Sequence, residues 1–382
     1  MKLPNPILIL IVFSLYNYSL FSQKIGVDNT SEYVPRLYKK NIGLVVNKSS
    51  VINDVHLIDT LISLGLNVKK IFSPEHGFDS QLSAGEYVHD SNYNDTIPII
   101  SLYGKNKKPK YSDLNDLDVL VFDIQDVGVR FYTYISTLHY VMEACAENEL
   151  ELIVLDRPNP HANYIDGPIL QESFSSFVGM HPVPIVYGMT IGEYALMING
   201  EQWLKHNIIC NLSVVKIQDY DRDKILDISF NPSPNLKSML SIFLYPSLCL
   251  FEGTIVSVGR GTDYPFEIYG APFFKTNFSF TPQSNTGSKN PKHQNKLCYG
   301  VHLKHTDYTP NRINLSYILN AYYMANDDIK KQFFNNFFSK LAGNNKLRAQ
   351  IENNVSENLI RKSWKKDLKK FSKVREKYLL YN

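Results

Sequence analysis

Three short stretches hold residues whose types and spacing suit catalysis: "FSPEHGF" with Glu75 and His76, "FDIQDVGVR" with Asp123, Gln125, Asp126 and Arg130, and "LDRPNP" with Asp156, Arg157 and Asn159. Glu and His gain nothing from a tight turn and are costly to bury unpaired. Their placement directly after the apolar residues Val68, Ile71 and Phe72 points to a site, against the plainer reading of a solvated turn. Carboxylates held near one another raise one another's pKa, so one can stay protonated as an acid while its partner stays ionised. Such a pair suits acetal hydrolysis, which needs one carboxyl to protonate the leaving oxygen and a second to act on the sugar or on water.

Those residues need a scaffold, and the apolar pattern supplies one. Short apolar runs alternating with helical periodicity predict an α/β fold with a mostly parallel sheet. The strands expected are Ile42 to Val46, Val68 to Phe72, Ile97 to Leu102, Val119 to Phe122 and Leu152 to Leu155, with helices over Val55 to Leu64 and Tyr134 to Glu147. Each polar cluster begins where a strand ends: Asn47, then Pro74 to His76, Tyr103 and Gly104, Asp123 to Asp126, and Asp156 to Asn159. In an open parallel sheet the carboxyl ends share one edge, so these residues converge there. The alternative for any single member is a structural network capping the strands. A second unit is expected after about Lys216, with a helix near Leu236 to Phe243, a strand near Ile255 to Val258 and late helices. Phe280 to Lys296, rich in Ser, Asn, Pro, Gln and Lys, reads as an exposed loop. Trp364, Leu368, Phe371 and Tyr378 share one helical face, which predicts a helix docked on the body with its basic side in water.

Composition narrows the function. The chain has 382 residues, room for two domains, and a formal net charge of +3, which offers no field for nucleic acid. Aromatics reach 13%, suited to a core or to a cleft where rings stack on sugars. Lys2 followed by the apolar run Ile7 to Phe13 and small or polar residues near Ser19 to Gln23 reads as an export signal ending near Ser22, with an uncleaved anchor as the alternative. The four cysteines, Cys145, Cys210, Cys249 and Cys298, show no metal-ligand spacing and read as small buried residues with at most one disulfide. The sequence has no GxGxxG after the first strand, no GxxxxGK[ST] and no GxSxG, which weighs against nucleotide binding and a serine hydrolase. A metal site from His76, His89, Asp123 and His161 stays open, because ligands on separate loops leave no spacing signature.

The blocks "FSPEHGF", "SLYG", "VLVFDIQDVGVRFYTYISTL", "VLDRPNP", "GMTIGEYALM", "PSPNL", "CLFEGTIVSVGRGTDYPFEIYGAP" and "YLLY" closely resemble the bacterial exo-β-N-acetylmuramidase family, in order from about Ile42 to the C-terminus. The resemblance implies a Rossmann-like sheet domain, a smaller C-terminal α/β domain and an active site in the cleft between them. It divides the chain into a signal peptide at 1–22, a catalytic domain at 24–215 and a completing domain at 216–382. It also implies removal of terminal non-reducing N-acetylmuramic acid from peptidoglycan fragments, without a cofactor. The protein is expected to be exported, periplasmic or extracellular, without stable membrane insertion once the signal is cleaved.

Carried onto matching positions, the resemblance makes Glu75 the general acid/base, with His76 beside it. Asp123 or Asp126 would be the second carboxylate or orient a water, with Gln125 in the same group. Arg130 and Tyr132 would line the pocket, and Arg130, Arg157 and Arg260, in that order, would meet the lactyl carboxylate of muramic acid. Glu252 and Glu267 could reach the sugar from the second unit or serve interdomain hydrogen bonds. The "GRGT" backbone at Gly259 to Thr262 could approach the ligand, and Asn159 and Tyr103 are weaker candidates. The chain departs from the family at Tyr187, often basic or His, at Ala162, often Gly, and from Gln81 to Asp95. The alternatives are a noncatalytic cell-wall-fragment binding protein and a metal-dependent hydrolase using the same cleft.

Overall fold

The computed structural model describes residues 24–82, 86, 90–224, 228, 231–304 and 310–381. Residues 1–22, expected to form the export signal, and His89 lie outside the described residues. Six apolar runs form parallel strands: Asn41–Val46, Asn67–Ser73, Ile97–Ser101, Val119–Asp123, Glu151–Leu155 and Asn211–Val215. Their order across the sheet is third, second, first, fourth, fifth, sixth, with Ser91–Tyr93 added antiparallel outside the third. This is the doubly wound order, and its direction reverses at the first strand, where the crevice outside the carboxyl ends opens.

Alternation along each strand assigns the two faces. Ile42, Leu44, Val46, Val121 and Ile153 pack with the helices Thr30–Leu37 and Leu57–Ser63. Val45, Phe72, Phe122, Leu152 and Val154 face the helices Tyr134–Glu147 and Ile191–Gly200. That second core runs without a break into the C-terminal part, as far as Trp364 and Phe371. The helix expected from Val55 starts at Leu57, because Val55–His56 pairs with Val51–Ile52 as a hairpin and His56 Nδ1 caps the helix by accepting from Ile58 N at 3.2 Å.

The C-terminal part holds the helix Met239–Leu248, an antiparallel sheet of Ile268–Ala271, Cys298–His302 and Phe278–Phe280, and the helices Ser316–Tyr323, Asn336–Ala342, Lys346–Glu352, Glu357–Lys362 and Lys365–Arg375. The strand expected over Ile255 to Val258 does not form. The carbonyls of Thr254 and Val256, which a ladder would use, accept instead from the ammonium of Lys292, and only a single bridge joins Ser257 to Gly270. The Phe280 to Lys296 loop is mostly exposed but pinned, with Pro282, Ser288 and Pro291 buried.

The Lys365–Arg375 helix docks as its sequence face predicts, with Trp364 and Phe371 buried and its lysines in water. Beyond it "YLLY" closes on "GMTIGEYALM" and on "VLDRPNP". Leu380 N donates to Glu193 Oε1 at 2.8 Å, and the Tyr381 hydroxyl donates to Asp156 Oδ2 at 2.6 Å. The closing segment and these two motifs therefore satisfy one another's buried polar groups. All four cysteines are buried and free. Among the described residues no helix is long and apolar enough to cross a membrane.

Candidate active site

The turn that carries Glu75 is tightly specified. Gly77 N donates to Pro74 O at 3.1 Å, and His76 and Gly77 both adopt positive φ, 73° and 75°. A histidine in the left-handed region is uncommon, so this backbone is held by its surroundings. Leu82 N donates to His76 O at 3.2 Å, and His76 Nδ1 lies 2.8 Å from Leu82 O. A carbonyl only accepts, so Nδ1 carries the proton. Burial holds the imidazole below its ordinary pKa, more than the neighbouring Glu75 offsets, and the neutral ring therefore keeps Nε2 as an acceptor.

Glu75 is 8% exposed, and its Oε2 accepts from the Thr133 hydroxyl at 2.5 Å. Thr133 is the residue preceding the Tyr134–Glu147 helix, where a threonine commonly caps with its side chain. Here it makes no such cap bond, and its hydroxyl serves Glu75 instead. The Glu75 carboxylate thereby sits at the positive end of a 14-residue helix.

Glu75, His76 and Thr133 line a cavity of about 480 Å³ between the two parts of the chain. One wall is aromatic. Phe131 and Tyr132 meet Tyr245 edge-on at 5.5 and 5.9 Å, and Tyr245 meets Phe266 at 5.0 Å. Opposite, Tyr103 lies 6.0 Å from Phe177, with the Lys107 ammonium 4.7 Å over the Phe177 ring. Ser233 and Leu236 of "PSPNL" complete the lining near Phe337 and Leu341. Such a wall offers flat apolar faces to a sugar ring.

A second carboxylate reaches the cavity from the C-terminal part. Glu252 accepts two bonds from Arg260, Nε to Oε1 at 2.8 Å and Nη2 to Oε2 at 3.1 Å. Burial alone would push this carboxyl up, but the Arg260 guanidinium holds it below the usual carboxylate range. Arg260 also stacks 5.0 Å over Phe266. Among the described residues, Glu75 and Glu252 are the carboxylates of this lining, and Lys107 and Arg260 its fixed cations.

The remaining sequence candidates lie behind the cleft. Asp123 is fully buried and paired with Arg157, Nε to Oδ1 at 2.5 Å and Nη2 to Oδ2 at 2.9 Å, so neither faces the cavity. Arg130, expected to line the pocket, is fully buried and donates to the carbonyls of Pro168, Val183 and Leu341, tying the Asn336–Ala342 helix to the sheet domain. Burial without a counter-ion pulls its pKa down to about 9. With Arg130, Arg157 and Arg260 so engaged, Lys107 is the cation of the cavity lining left to meet a ligand carboxylate.

Asp126 accepts at Oδ2 from Gly128 N at 2.6 Å and from the Tyr187 hydroxyl, while Oδ1 is buried without a partner. Burial pushes its carboxyl up to about 6. Tyr187, one departure from the family pattern, is thus the donor that holds Asp126. Gln125 donates to the carbonyls of Asp126 and Pro158. Asn159 packs on Gly128, which has φ +75° and where a Cβ would sit 1.8 Å from the Asn159 side chain, so "DIQDVG" and "DRPNP" interlock. Tyr132 lines the cavity with its ring and donates its hydroxyl to Pro232 O at 2.7 Å.

Glu267 caps the Met239–Leu248 helix region through Ser238, whose hydroxyl donates to it at 2.5 Å. In "GRGT", Gly261 packs against Gln283 O and Pro291. His161 Nε2 lies 3.1 Å from Ile242 O, remote in its bonding from Asp123 and His76. Among the described residues no three His, Cys, Asp or Glu are grouped to hold a metal ion. Sequence reasoning had not singled out Thr133, Lys107, Phe177, Tyr245, Phe266 and Phe337; Thr133 and Phe266 lie inside the quoted blocks and were open to it, whereas the others lie outside them.

A doubly wound sheet domain and a smaller α/β part, closing together on a carboxylate-bearing, aromatic-walled cavity, define a two-part α/β protein with a cleft suited to sugar. The chain belongs to the Exo-beta-N-acetylmuramidase NamZ family: residues 42–240 match its N-terminal domain and residues 243–381 its C-terminal domain. It is 40% identical to the peptidoglycan beta-N-acetylmuramidase NamZ of Bacillus subtilis (strain 168), covering 93% of this chain and 91% of that protein. Two crystal structures of DUF1343 family proteins from Bacteroides fragilis share the fold. One has a TM-score of 0.86 at 42% identity and the other 0.82 at 29%, each covering 94% of this chain and 99% of the other.

Proposed function

We infer that this protein is an exo-β-N-acetylmuramidase, a glycoside hydrolase that removes terminal non-reducing β-linked N-acetylmuramic acid from peptidoglycan fragments. The observation that carries this is kinship along nearly the whole chain, 40% identity over 93% of it, with a peptidoglycan β-N-acetylmuramidase. The cavity chemistry is consistent with it. Glu75 acts as general acid/base toward the glycosidic oxygen, oriented by the Thr133 hydroxyl. Glu252, kept ionised by Arg260, is the second carboxylate of the cleft and stabilises positive charge developing on the sugar. His76, neutral with Nε2 as acceptor, holds a hydroxyl or water beside Glu75. Lys107 meets the lactyl carboxylate, and the aromatic wall packs on the ring.

The substrate class lies outside the cytoplasm, and the basic and apolar start of the chain, Lys2 and Ile7 to Phe13, supports export to the periplasm or the medium. The test of the reaction is mass spectrometry of digests of glycans ending in muramic acid, the disaccharide with N-acetylglucosamine first. Free N-acetylmuramic acid with a glycan one unit shorter is expected. Internal cleavage products, or none, would count against it.

A further inference from the structure

Continuous with the Glu75 cavity lies an outer hollow of about 650 Å³, and the two share Glu252, Arg260 and Phe337. Its walls are otherwise Ser257 and Val258, the loop 287–292 and Glu86. The loop is fixed at three points. Asn235 Nδ2 donates to Gly287 O at 2.7 Å, and Lys289 pairs with Glu86, which follows the Glu75 turn. Lys292, largely buried, donates to the carbonyls of Phe251, Thr254 and Val256. Lys289 and Asn290 stand exposed at the rim, so the hollow opens to water there.

The two compartments differ in chemistry. The inner one is ringed by aromatic faces and carries Glu75, whereas the outer one presents hydroxyls, an amide and backbone, with Phe337 as its ring. Every fixed charge of the outer wall is already met: Arg260 by Glu252, Lys289 by Glu86, Lys292 by carbonyls. A wall whose charges are internally compensated suits an uncharged polar ligand and offers no spare cation to a carboxylate.

We propose that the outer hollow is the aglycone subsite, holding the N-acetylglucosamine unit from which muramic acid is released, with Asn290 and Ser257 hydrogen-bonding its acetamide and hydroxyls. The proposal rests on the exo-muramidase reading. An exo-acting enzyme holds the terminal sugar at a closed end and lets the chain lead out. The scissile bond then lies at the Glu252–Arg260 boundary that the two compartments share. The Lys289–Glu86 pair fixes the loop against the Glu75 side of the cleft.

The test compares kcat/KM on the muramic acid–N-acetylglucosamine disaccharide with kcat/KM on a 4-nitrophenyl muramic acid glycoside, whose aglycone is not a sugar. In Asn290→Ala the disaccharide-to-aryl ratio is expected to fall about tenfold, and inhibition by free N-acetylglucosamine to weaken alongside. Asn290 is exposed, so the fold is retained. An unchanged ratio with unchanged inhibition overturns the subsite while leaving the muramidase reading intact. A wild-type protein that hydrolyses neither substrate overturns both.

Discussion

The Thr133 hydroxyl donates to Glu75 Oε2 at 2.5 Å and leaves the Tyr134–Glu147 helix without its usual side-chain cap. Glu75, the proposed acid/base, is thereby tied to a rigid element of the sheet domain, although its own turn runs through two left-handed residues. Thr133→Val keeps the shape and removes the donor. A hydrogen bond to a charged group is worth about 1.5 to 3 kcal/mol, so kcat/KM is expected to fall roughly 10- to 100-fold. Thr133→Ser should restore most of it, and the thermal midpoint should barely move, because no cap is lost.

Arg130 is a structural clasp. Its three carbonyl partners come from three segments, and replacing it with Met takes the side-chain donor from Pro168 O and Leu341 O, while Val183 O keeps its bond from Leu170 N. Unfolding free energy in urea is expected to drop by about 3 to 5 kcal/mol, while kcat, normalised to folded protein, stays within a few-fold. A variant of wild-type stability with kcat reduced a hundredfold would contradict this placement.

Asp126 makes stability depend on pH with a definite sign. Its folded pKa, about 6, lies above the ordinary 3.8, so between these values the folded protein binds more protons than the unfolded chain. Its contribution is fully present below about 4 and is lost as pH rises through 6. The loss is of the order of 2 to 3 kcal/mol. Buried histidines such as His161, held near 4, act in the opposite direction, so the wild-type curve alone does not isolate Asp126. The stability difference between wild type and Asp126→Asn does. Wild type should weaken relative to the variant from pH 4 to pH 7, and a flat difference would count against the raised pKa.

Much of the scaffold was legible because hydrophobic period carries it. The strands after Asn41, Asn67, Ile97, Val119 and Glu151 and the Tyr134–Glu147 helix stand where their apolar spacing puts them. Convergence of polar residues at the carboxyl edge follows from parallel topology alone. Asn211–Val215 escaped because its polar Asn and Ser blur the pattern, and Ile255 to Val258 misled because an ammonium from 36 residues on takes a ladder's carbonyl.

Within the site, sequence located the blocks better than the roles. An Arg and an Asp after a strand can turn toward the cleft or under it, and that choice depends on distant partners: Leu341 for Arg130, Arg157 for Asp123. The aromatic wall draws Phe177, Tyr245 and Phe266 from separate segments of a chain that is 13% aromatic, so composition could not sort core from cleft.

As the proposed general acid, Glu75 gives a proton to the leaving oxygen. The direct measurement is kcat/KM of wild type and Glu75→Gln on two β-N-acetylmuramic acid glycosides, one with a poor leaving group and one with an activated dinitrophenol. A loss of at least about a hundredfold is expected on the poor leaving group and a much smaller loss on the activated one, which departs without protonation. Equal losses on both, or full activity in the variant, would contradict that role.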